Sequence, residues 1–170
     1  VSHDGGTAIG LAQYAWYQYS KENIARPTTS VYLSSPPDYS QLDIAKQQVP
    51  TLEITDAGPD QIVELLEQGH IVSLFQGRAE GGPRALGNRS ILFDPRNPQG
   101  KYIVNSVKMR EWFRPFAGSI LEDKADEWFD MAGLRSSPFM MYAVKVLENQ
   151  ASKIPAVTHV DNTCRIQTVN

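Results

Sequence analysis

The sequence of 170 residues contains one cysteine and no long apolar run. A membrane helix needs about 18 consecutive apolar residues, so a membrane protein is not expected. The single cysteine, Cys164, excludes an internal disulfide framework and is typical of a reducing cytoplasm. The first residues, VSHDGG, lack the basic and apolar pattern of a signal peptide, so export is not expected. Because a catalytic thiol needs an activating base nearby, we expect Cys164 to be a small buried strand residue.

The charged residues are unevenly distributed. The net charge is −3, which disfavours a nucleic acid as the main partner. Between Arg78 and Arg114, however, six arginines and two lysines face three acidic residues, a local balance of +5 that leaves −8 for the remainder. A compact positive region on an acidic protein suits a small polyanion, such as the phosphates of a nucleotide, better than a long DNA or RNA backbone.

Short apolar segments alternate with helical patterns from residue 54 onward. GPDQIVELLEQGH predicts a helix, with Pro59 in its first turn and Gly69 at its end. Two further helices are predicted at 97–111, with Asn97 as N-cap, and at 123–131. The predicted strands are 70–77, 89–94, 115–121, 137–147, 155–161 and 164–170. The order of these elements favours an α/β fold with a mixed, twisted sheet and flanking helices.

The first 53 residues differ from the rest. Residues 3–23 predict a glycine loop followed by a largely apolar helix, which we expect to be buried. Residues 26–53 are rich in Pro, Ser and Thr and predict a linker. A lone helix followed by a linker leads us to expect that the chain begins inside a larger protein.

A dense bend, EGGPRALGNRSILFDPR, occupies residues 80–96. Gly81 and Gly82 allow unusual backbone angles and a close approach to a ligand. Arg84 and Arg89 carry guanidinium groups that bind phosphate oxygens, and backbone N–H groups of such a bend can form an anion nest. The alternative is a structural turn whose arginines extend into solvent.

A second basic cluster lies in NSVKMREWFRPFAG, residues 105–118. Lys108 and Arg110 can converge only if the predicted helix ends there, because residues two apart do not share a helix face. Pro115 favours an extended Arg114, which supports that break. We expect these cations and Arg84 to meet around one phosphate-bearing ligand, such as a triphosphate or carbamoyl phosphate. The alternative is a set of ordinary basic residues at a helix C-terminus.

Two further groups have a functional and a structural interpretation. His159 and Asp161 are predicted on one face of a strand, where they could form an acid/base pair or a hydrogen-bonded structural pair. We expect Trp112, Phe113 and Phe116 to belong to the core rather than to form a platform for adenine. His70 is expected on the surface.

Four blocks together resemble a known family. GRAEGGPRALGNRSIL, NSVKMREWFRPFAGSIL, SPFMMYAVKV and IPAVTHVDNTCRIQTV are similar, in order and spacing, to the C-terminal domain of the nodulation-type O-carbamoyltransferases. That family includes enzymes that carbamoylate aminoglycoside and cephalosporin-type antibiotics. The resemblance covers about residues 50–170. HDGGTAIGLAQYAW resembles the end of the preceding, actin-like domain of the same family.

The resemblance implies a two-step, ATP-dependent carbamoyltransferase. A YrdC-like domain, here 54–170 and expected to be truncated, would make carbamoyl adenylate from ATP and carbamoyl phosphate. The actin-like domain, of which 1–25 would be the last helix and 26–53 the linker, would then transfer the carbamoyl group to a hydroxyl of a sugar-like acceptor. An iron-type divalent metal would hold the nucleotide phosphate in that domain. No nucleic acid or membrane partner is implied, and a homo-oligomer is left open.

The resemblance also implies roles for individual residues. Those that would contact ATP, carbamoyl phosphate or their phosphates are Arg84, Lys108, Arg110, Arg114 and Arg165, of which Arg84, Lys108 and Arg114 are the catalytic candidates. Gly5 and Gly6 would approach the nucleotide in the actin-like domain. Asp4 would be a metal ligand together with two histidines upstream of Val1.

The match to the family pattern is incomplete. A Ser-x-Asn element that grips phosphates in YrdC-like domains is expected beyond Asn170, so the chain alone is expected to be inactive. Asn162 and Cys164 stand where the family usually has Gly and Ala, which are mild changes. Two alternatives remain: a threonylcarbamoyl-adenylate synthase of the YrdC type, which serves tRNA modification, and a nucleotide-binding module without turnover. The acceptor is left open.

Overall fold

The computed structural model describes residues 4–22 and 30–170, with the side chains of residues 4 and 5 excepted. The helices are α1 Asp4–Ser20, α2 Gln41–Gln48, α3 Pro59–Glu67, α4 Gly100–Val107, α5 Ala125–Trp128 and α6 Glu148–Ala151, with a 3-10 turn at Glu122–Lys124. The strands are β1 Val72–Phe75, β2 Arg89–Leu92, β3 Ala117–Leu121, β4 Phe129–Asp130, β5 Ala143–Val146 and β6 Thr163–Val169. None of the described helices is long and apolar enough to cross a membrane.

The chain divides into two compact units. The first extends to Thr55 and includes Leu74–Ser90, and the second comprises Asp56–Ser73 and Ile91–Asn170. Residues 80–90, the glycine-rich part of the bend, belong to the first unit, whereas the second basic cluster and the main sheet belong to the second. The predicted domain boundaries after residues 25 and 53 stay a prediction.

The second unit contains a mixed four-stranded sheet in the order β3-β6-β5-β4. β3 and β6 are parallel, with Ala117 opposite Arg165, whereas β5 runs antiparallel to both β6 and β4. The parallel pair needs a long connection, and the chain between β3 and β6 supplies it with α5, β4, β5 and α6. The predicted mixed α/β sheet with flanking helices is therefore confirmed.

The core of this unit lies on one face of the sheet. Cys164 and Ile166 of β6 are fully buried and pack with Val144 and Val146 of β5. Gly118 of β3 lies close to Cys164, because a Cβ at Gly118 would be 3.5 Å from the Cys164 Sγ. The alternation along β6 therefore directs one set of side chains into the core and leaves Arg165 on the other face.

Most predicted elements from residue 58 onward are present, although several are shorter. α3 has Pro59 in its first turn, and Gly69 follows it with φ +83°, as predicted. α4 begins at Gly100 rather than near Asn97, because the Asn97 side chain accepts the N–H of Gln99 (2.9 Å) in a turn before the helix. The β1 and β2 segments form a separate two-stranded sheet.

The prediction of a strand at 155–161 was wrong. This segment consists of turns, since the N–H groups of both Val157 and Thr158 donate to the Ile154 carbonyl (3.2 and 3.1 Å). Ala156 and Val157 are buried nonetheless, at 7 and 8% exposure, whereas Val160 is fully exposed. The apolar residues of this segment were mistaken for a strand, because residues buried by local turns also give a short apolar run.

Two expectations about the first unit were also wrong. Gly5 and Gly6 lie in the first turn of α1, not in a loop. Most apolar residues of α1 are exposed in this chain, with Leu11 at 61% and Tyr14 at 62%. In addition, the segment predicted as a linker contains α2, a helix of eight residues.

Cys164 gives a direct test of the core. Its burial raises the pKa of the thiol to about 11, so about one thiol in a thousand is ionised at pH 8. We expect Ellman's reagent to modify the folded protein at least about a hundredfold more slowly than the urea-unfolded protein, which should react with one equivalent. Equal rates in the two states would contradict the buried position of Cys164.

Candidate phosphate-binding site

The glycine-rich bend, residues 80–90, is organised around the carboxylate of Glu80. One oxygen of Glu80 accepts the N–H groups of Leu86 (2.9 Å) and Asn88 (2.7 Å), and the N–H of Gly87 donates to Ser90 Oγ (2.9 Å). Burial alone would raise the pKa of Glu80, but the hydrogen bonds from Asn88 and Leu86 outweigh it and lower the pKa. These N–H groups, predicted to form an anion nest, therefore hold the protein's own carboxylate.

The glycines of the bend allow it to approach another part of the same unit. The N–H of Gly81 donates to the Val31 carbonyl (2.6 Å), and a Cβ at Gly81 would be 2.8 Å from the Leu33 side chain. Gly87 has φ +115°, which a residue with a side chain adopts only with strain. The close approach predicted for a ligand is thus made, at Gly81, by residues 31–33.

The two arginines of the bend have different environments. Arg89 donates to the carbonyls of Gln76, Gly77 and Asn88 and lies over the ring of Phe75, 3.7 Å from its centre. Arg84 is half-buried, and its Nε is buried without a hydrogen-bond partner among the described residues. Arg89 therefore has a structural role, whereas Arg84 retains a donor for a ligand.

The second cluster forms the loop 108–116 between α4 and β3, here called the cation loop. α4 ends at Val107, Lys108 is its C-cap, and Met109 turns the chain with φ +48°. The helix predicted at 97–111 therefore ends at Val107, which meets the condition for Lys108 and Arg110 to converge. Lys108 and Arg114 are exposed, and Arg110 is half-buried.

Asn105, which sequence analysis missed, holds the cation loop in place. Its side chain is 1% exposed, and its Nδ2 donates to the carbonyls of Trp112 (3.1 Å) and Arg114 (2.9 Å). Its Oδ1 accepts a hydrogen bond from Nε of Arg110. The sequence contained one clue, because asparagine is unfavourable within a helix unless its amide bonds elsewhere.

Arg110 carries a positive charge that the protein compensates poorly. Within the described part of the chain, no carboxylate lies within ion-pair distance of it. Its guanidinium lies over the Phe116 ring, 4.4 Å from the centre, and Nη2 donates to the Pro115 carbonyl (3.4 Å). Burial and then the charge of Arg114 lower the pKa of Arg110, and Glu111 offsets this only in part. A bound anion would relieve this electrostatic cost.

Arg114 is bound only weakly within the protein. Its Nε lies 2.8 Å from a Glu111 oxygen, and both side chains are 53% exposed. Such an exposed ion pair contributes little, so a phosphate can compete with Glu111 for Arg114.

The sheet places Arg165 beside the end of the cation loop. Arg165 is directly opposite Ala117, the residue that follows the loop, and opposite Ala143 on the other side. Both neighbours are small, and the half-buried Arg165 lies on the face opposite the core. The second unit therefore brings Arg165 and the cation loop into one region.

The aromatic residues of the cation loop correct another expectation. Trp112 and Phe113 are 63 and 59% exposed, so neither belongs to the core. Trp112 stacks on Tyr102 with ring centres 6.0 Å apart, and Phe113 contacts it edge-on. Phe116, by contrast, packs against the core, as expected. His70 is exposed, as expected.

A separate apolar groove of about 520 Å³ follows β3 in the second unit. Leu66, Ile91–Phe93, Pro95, the whole of β3, Trp128 and Val157 are among the residues that line it. None of the predicted phosphate ligands lies in this groove.

The arrangement of the remaining predicted site residues stays a prediction. Arg84 belongs to the first unit, so its convergence with Lys108 and Arg114 stays a prediction. The side chain of Asp4 lies outside the described part of the chain, and Gly5 and Gly6 lie within α1. No group of three or more His, Cys, Asp or Glu side chains suited to a metal occurs among the described residues.

Comparison with known families identifies the family of this chain. Residues 63–170 match the family described as "Carbamoyltransferase C-terminus". The chain belongs to this carbamoyltransferase family. The matched range includes the glycine-rich bend, the cation loop and β6, and it excludes α1 and α2.

Relatives extend the similarity along the chain. Nodulation protein NolO of Bradyrhizobium diazoefficiens is 38% identical over 183 aligned residues, covering 100% of this chain and 32% of that protein. Nodulation protein NolNO of Sinorhizobium fredii is 38% identical over 178 residues, covering 100% and 26%. Nodulation protein U of B. diazoefficiens is 34% identical over 168 residues, covering 99% and 28%. The resemblance to nodulation-type carbamoyltransferases is confirmed, and the chain spans about a third or less of the length of these relatives.

The role of Glu80 predicts a pH dependence of stability. Because its folded pKa lies below its ordinary value of 4.5, its contribution is fully present above that pH and is lost as the pH falls through the folded pKa. We expect Glu80→Gln to reduce the free energy of unfolding at pH 6 and to have less effect at pH 3, measured by urea unfolding. The same substitution at the exposed Glu148 is the control. An effect of Glu80→Gln that does not change with pH would contradict this role.

The role of Asn105 predicts a loss of stability on its replacement. Asn105→Leu keeps the branching of the side chain but leaves two carbonyls and the Arg110 Nε without their partner, which should cost about 2 to 4 kcal/mol in urea unfolding. Ser106→Ala, at an exposed position one residue further on α4, should change stability by less than about 0.5 kcal/mol. If the two variants were equally stable, the amide of Asn105 would not hold the loop.

Proposed function

We propose that this chain is part of an ATP-dependent O-carbamoyltransferase and that its family-matched region forms carbamoyl adenylate. The observation that supports this most is the poorly compensated charge of Arg110, next to Arg114 in a loop fixed by a buried amide. Such a fixed group of guanidinium donors is suited to phosphate oxygens, which it can bind with two hydrogen bonds at once.

The proposed reaction has defined leaving groups. Water first cleaves carbamoyl phosphate, which releases inorganic phosphate and leaves carbamate. A carbamate oxygen then attacks the α-phosphorus of ATP, the bond to the β-phosphate oxygen breaks, and pyrophosphate leaves with the electron pair. Negative charge accumulates on the transferred and departing phosphates, where fixed cations lower the barrier.

Each cation has a proposed position in this reaction. Lys108, Arg110 and Arg114 would hold the ATP phosphates that leave as pyrophosphate, because they share the cation loop. Arg165 would reach the same phosphates from β6. Arg84, whose Nε has no protein partner among the described residues, would contact the phosphate or carbamoyl group of carbamoyl phosphate.

The second step is proposed for another part of a longer protein. An acceptor hydroxyl would attack the carbamoyl carbon, and AMP would leave. In that actin-like part, Asp4 would contribute one ligand of a divalent metal of the iron type, and Gly5 and Gly6 would lie near the nucleotide. A carboxylate is an appropriate ligand for such a metal, but this chain supplies only one of the three expected. We also propose that the acceptor of the carbamoyl group is sugar-like and that the protein is cytoplasmic.

The test is ATP–pyrophosphate exchange that depends on carbamoyl phosphate. A longer protein, extended at both ends from the same gene, should catalyse exchange, whereas the 170-residue chain should bind pyrophosphate with little exchange. Arg110→Gln should slow exchange by about 100-fold or more, since it removes a cation that stabilises the transition state. Arg96→Gln is the matched control, because Arg96 is already paired with Asp94 and Glu67.

The outcomes separate the possible functions. Exchange that needs threonine and bicarbonate instead of carbamoyl phosphate would indicate a threonylcarbamoyl-adenylate synthase. Nucleotide binding by the longer protein without exchange would indicate a non-catalytic module. Normal exchange by Arg110→Gln would remove the cation loop from the mechanism.

A further inference from the structure

A chain of side-chain contacts connects the turn before β6 to the end of the cation loop. His159 Nε2 lies 3.1 Å from the Phe116 carbonyl oxygen, and its Nδ1 lies 3.1 Å from Thr163 Oγ1. The Thr163 hydroxyl in turn lies 2.7 Å from an Asp161 oxygen. His159 and Asp161 are therefore not on a strand face, and they are linked through Thr163.

The chemistry of these groups fixes the orientation of the imidazole ring. A carbonyl oxygen only accepts hydrogen bonds, so the nitrogen that faces Phe116 must carry a hydrogen. The Thr163 hydroxyl has one hydrogen and donates it to Asp161, so Nδ1 of His159 contacts the hydroxyl oxygen. Asp161 also accepts the N–H of Thr163 (3.1 Å), and these two bonds lower the pKa of Asp161.

The backbone around His159 is equally constrained. Its N–H donates to the Thr163 carbonyl (2.7 Å), and its carbonyl accepts the N–H of Asn162 (3.0 Å). Asn162 has φ +59°, a conformation that asparagine tolerates better than most residues. The turn thus presents the imidazole in one orientation to Phe116.

Phe116 connects this turn to the cations. Its ring lies beneath the guanidinium of Arg110, 4.4 Å from the ring centre. It also precedes Ala117, which is directly opposite Arg165 in the sheet. A shift of Phe116 would therefore move the support of Arg110 and the strand that adjoins Arg165.

We propose that His159 is a positioning residue that holds Phe116 so that Arg110 and Arg165 meet the same phosphate-bearing ligand. This inference rests on the function proposed above. His159 acts through its Nε2–H and the Phe116 carbonyl and does not touch the ligand. Asp161 fixes the Thr163 hydroxyl beside Nδ1, and the Phe116 carbonyl requires that Nε2 carries a hydrogen.

Binding of inorganic pyrophosphate to the full chain, measured by titration calorimetry, tests this role. His159→Leu removes the donor to Phe116 and should weaken binding about tenfold. His159→Gln can still donate from its amide and should recover most of the affinity. His70→Leu, at the exposed histidine, is the matched control and should bind like the wild type.

A second pair of variants avoids replacement of the histidine. Thr163→Val removes the hydroxyl that fixes the ring and should weaken binding, whereas Thr163→Ser keeps the hydroxyl and should not. This pair decides the question even if His159→Leu fails to fold. Equal pyrophosphate affinity of the valine and serine variants would overturn the proposal.

Nitrogen-15 NMR of the imidazole groups reads the contact directly in the ligand-free protein. The neutral His159 ring should carry its hydrogen on Nε2, with its resonances assigned by their loss in His159→Gln. A hydrogen on Nδ1 would overturn the contact with Phe116.

The outcomes separate this inference from the proposed function. A wild-type chain that does not bind pyrophosphate overturns the phosphate site, and with it the positioning role, whatever the tautomer. A wild-type chain that binds, together with a folded His159→Leu variant of equal affinity, overturns only the positioning role.

Discussion

The candidate site of the second unit depends on one buried amide. Asn105 satisfies two loop carbonyls and the Nε of Arg110 at once, and these contacts hold the chain between α4 and β3 in a single conformation. A loop so constrained keeps its cations in place without a ligand, so that less conformational entropy is lost when an anion binds. The hydrogen bonds of Asn105 offset the free-energy cost of the poorly compensated charge of Arg110.

The two basic regions of the sequence have opposite electrostatic designs. In the glycine-rich bend, the Glu80 carboxylate accepts the backbone N–H groups, and Arg89 donates to backbone carbonyl groups. Of the two arginines in the bend, Arg84 keeps a donor, its Nε, without a partner among the described residues. In the cation loop, the one adjacent carboxylate, Glu111, is exposed and pairs with Arg114. The first design stabilises a turn, and the second leaves charge for a ligand.

Sequence patterns predicted secondary-structure elements correctly where local interactions determine them. The predictions failed where tertiary contacts determine the structure. Pro59 and Gly69 correctly marked α3, whereas α4 ends at Val107, before the predicted end at 111. The strand predicted at 155–161 was wrong, because turn hydrogen bonds determine this segment, and the backbone donors of the bend hold Glu80, which periodicity does not encode. Sequence patterns did not reveal the role of Asn105 either, because the groups that its side chain binds lie in a loop.

The central claim is that the cation loop binds the phosphates of a nucleotide. The most direct measurement is nitrogen-15 NMR of the arginine Nε–H groups during titration with ATP. The account predicts that the resonances of Arg110 and Arg114 shift and saturate together, while those of Arg89 and Arg96, which the protein already pairs, remain unchanged. Saturable ATP binding that leaves Arg110 and Arg114 unchanged would contradict it.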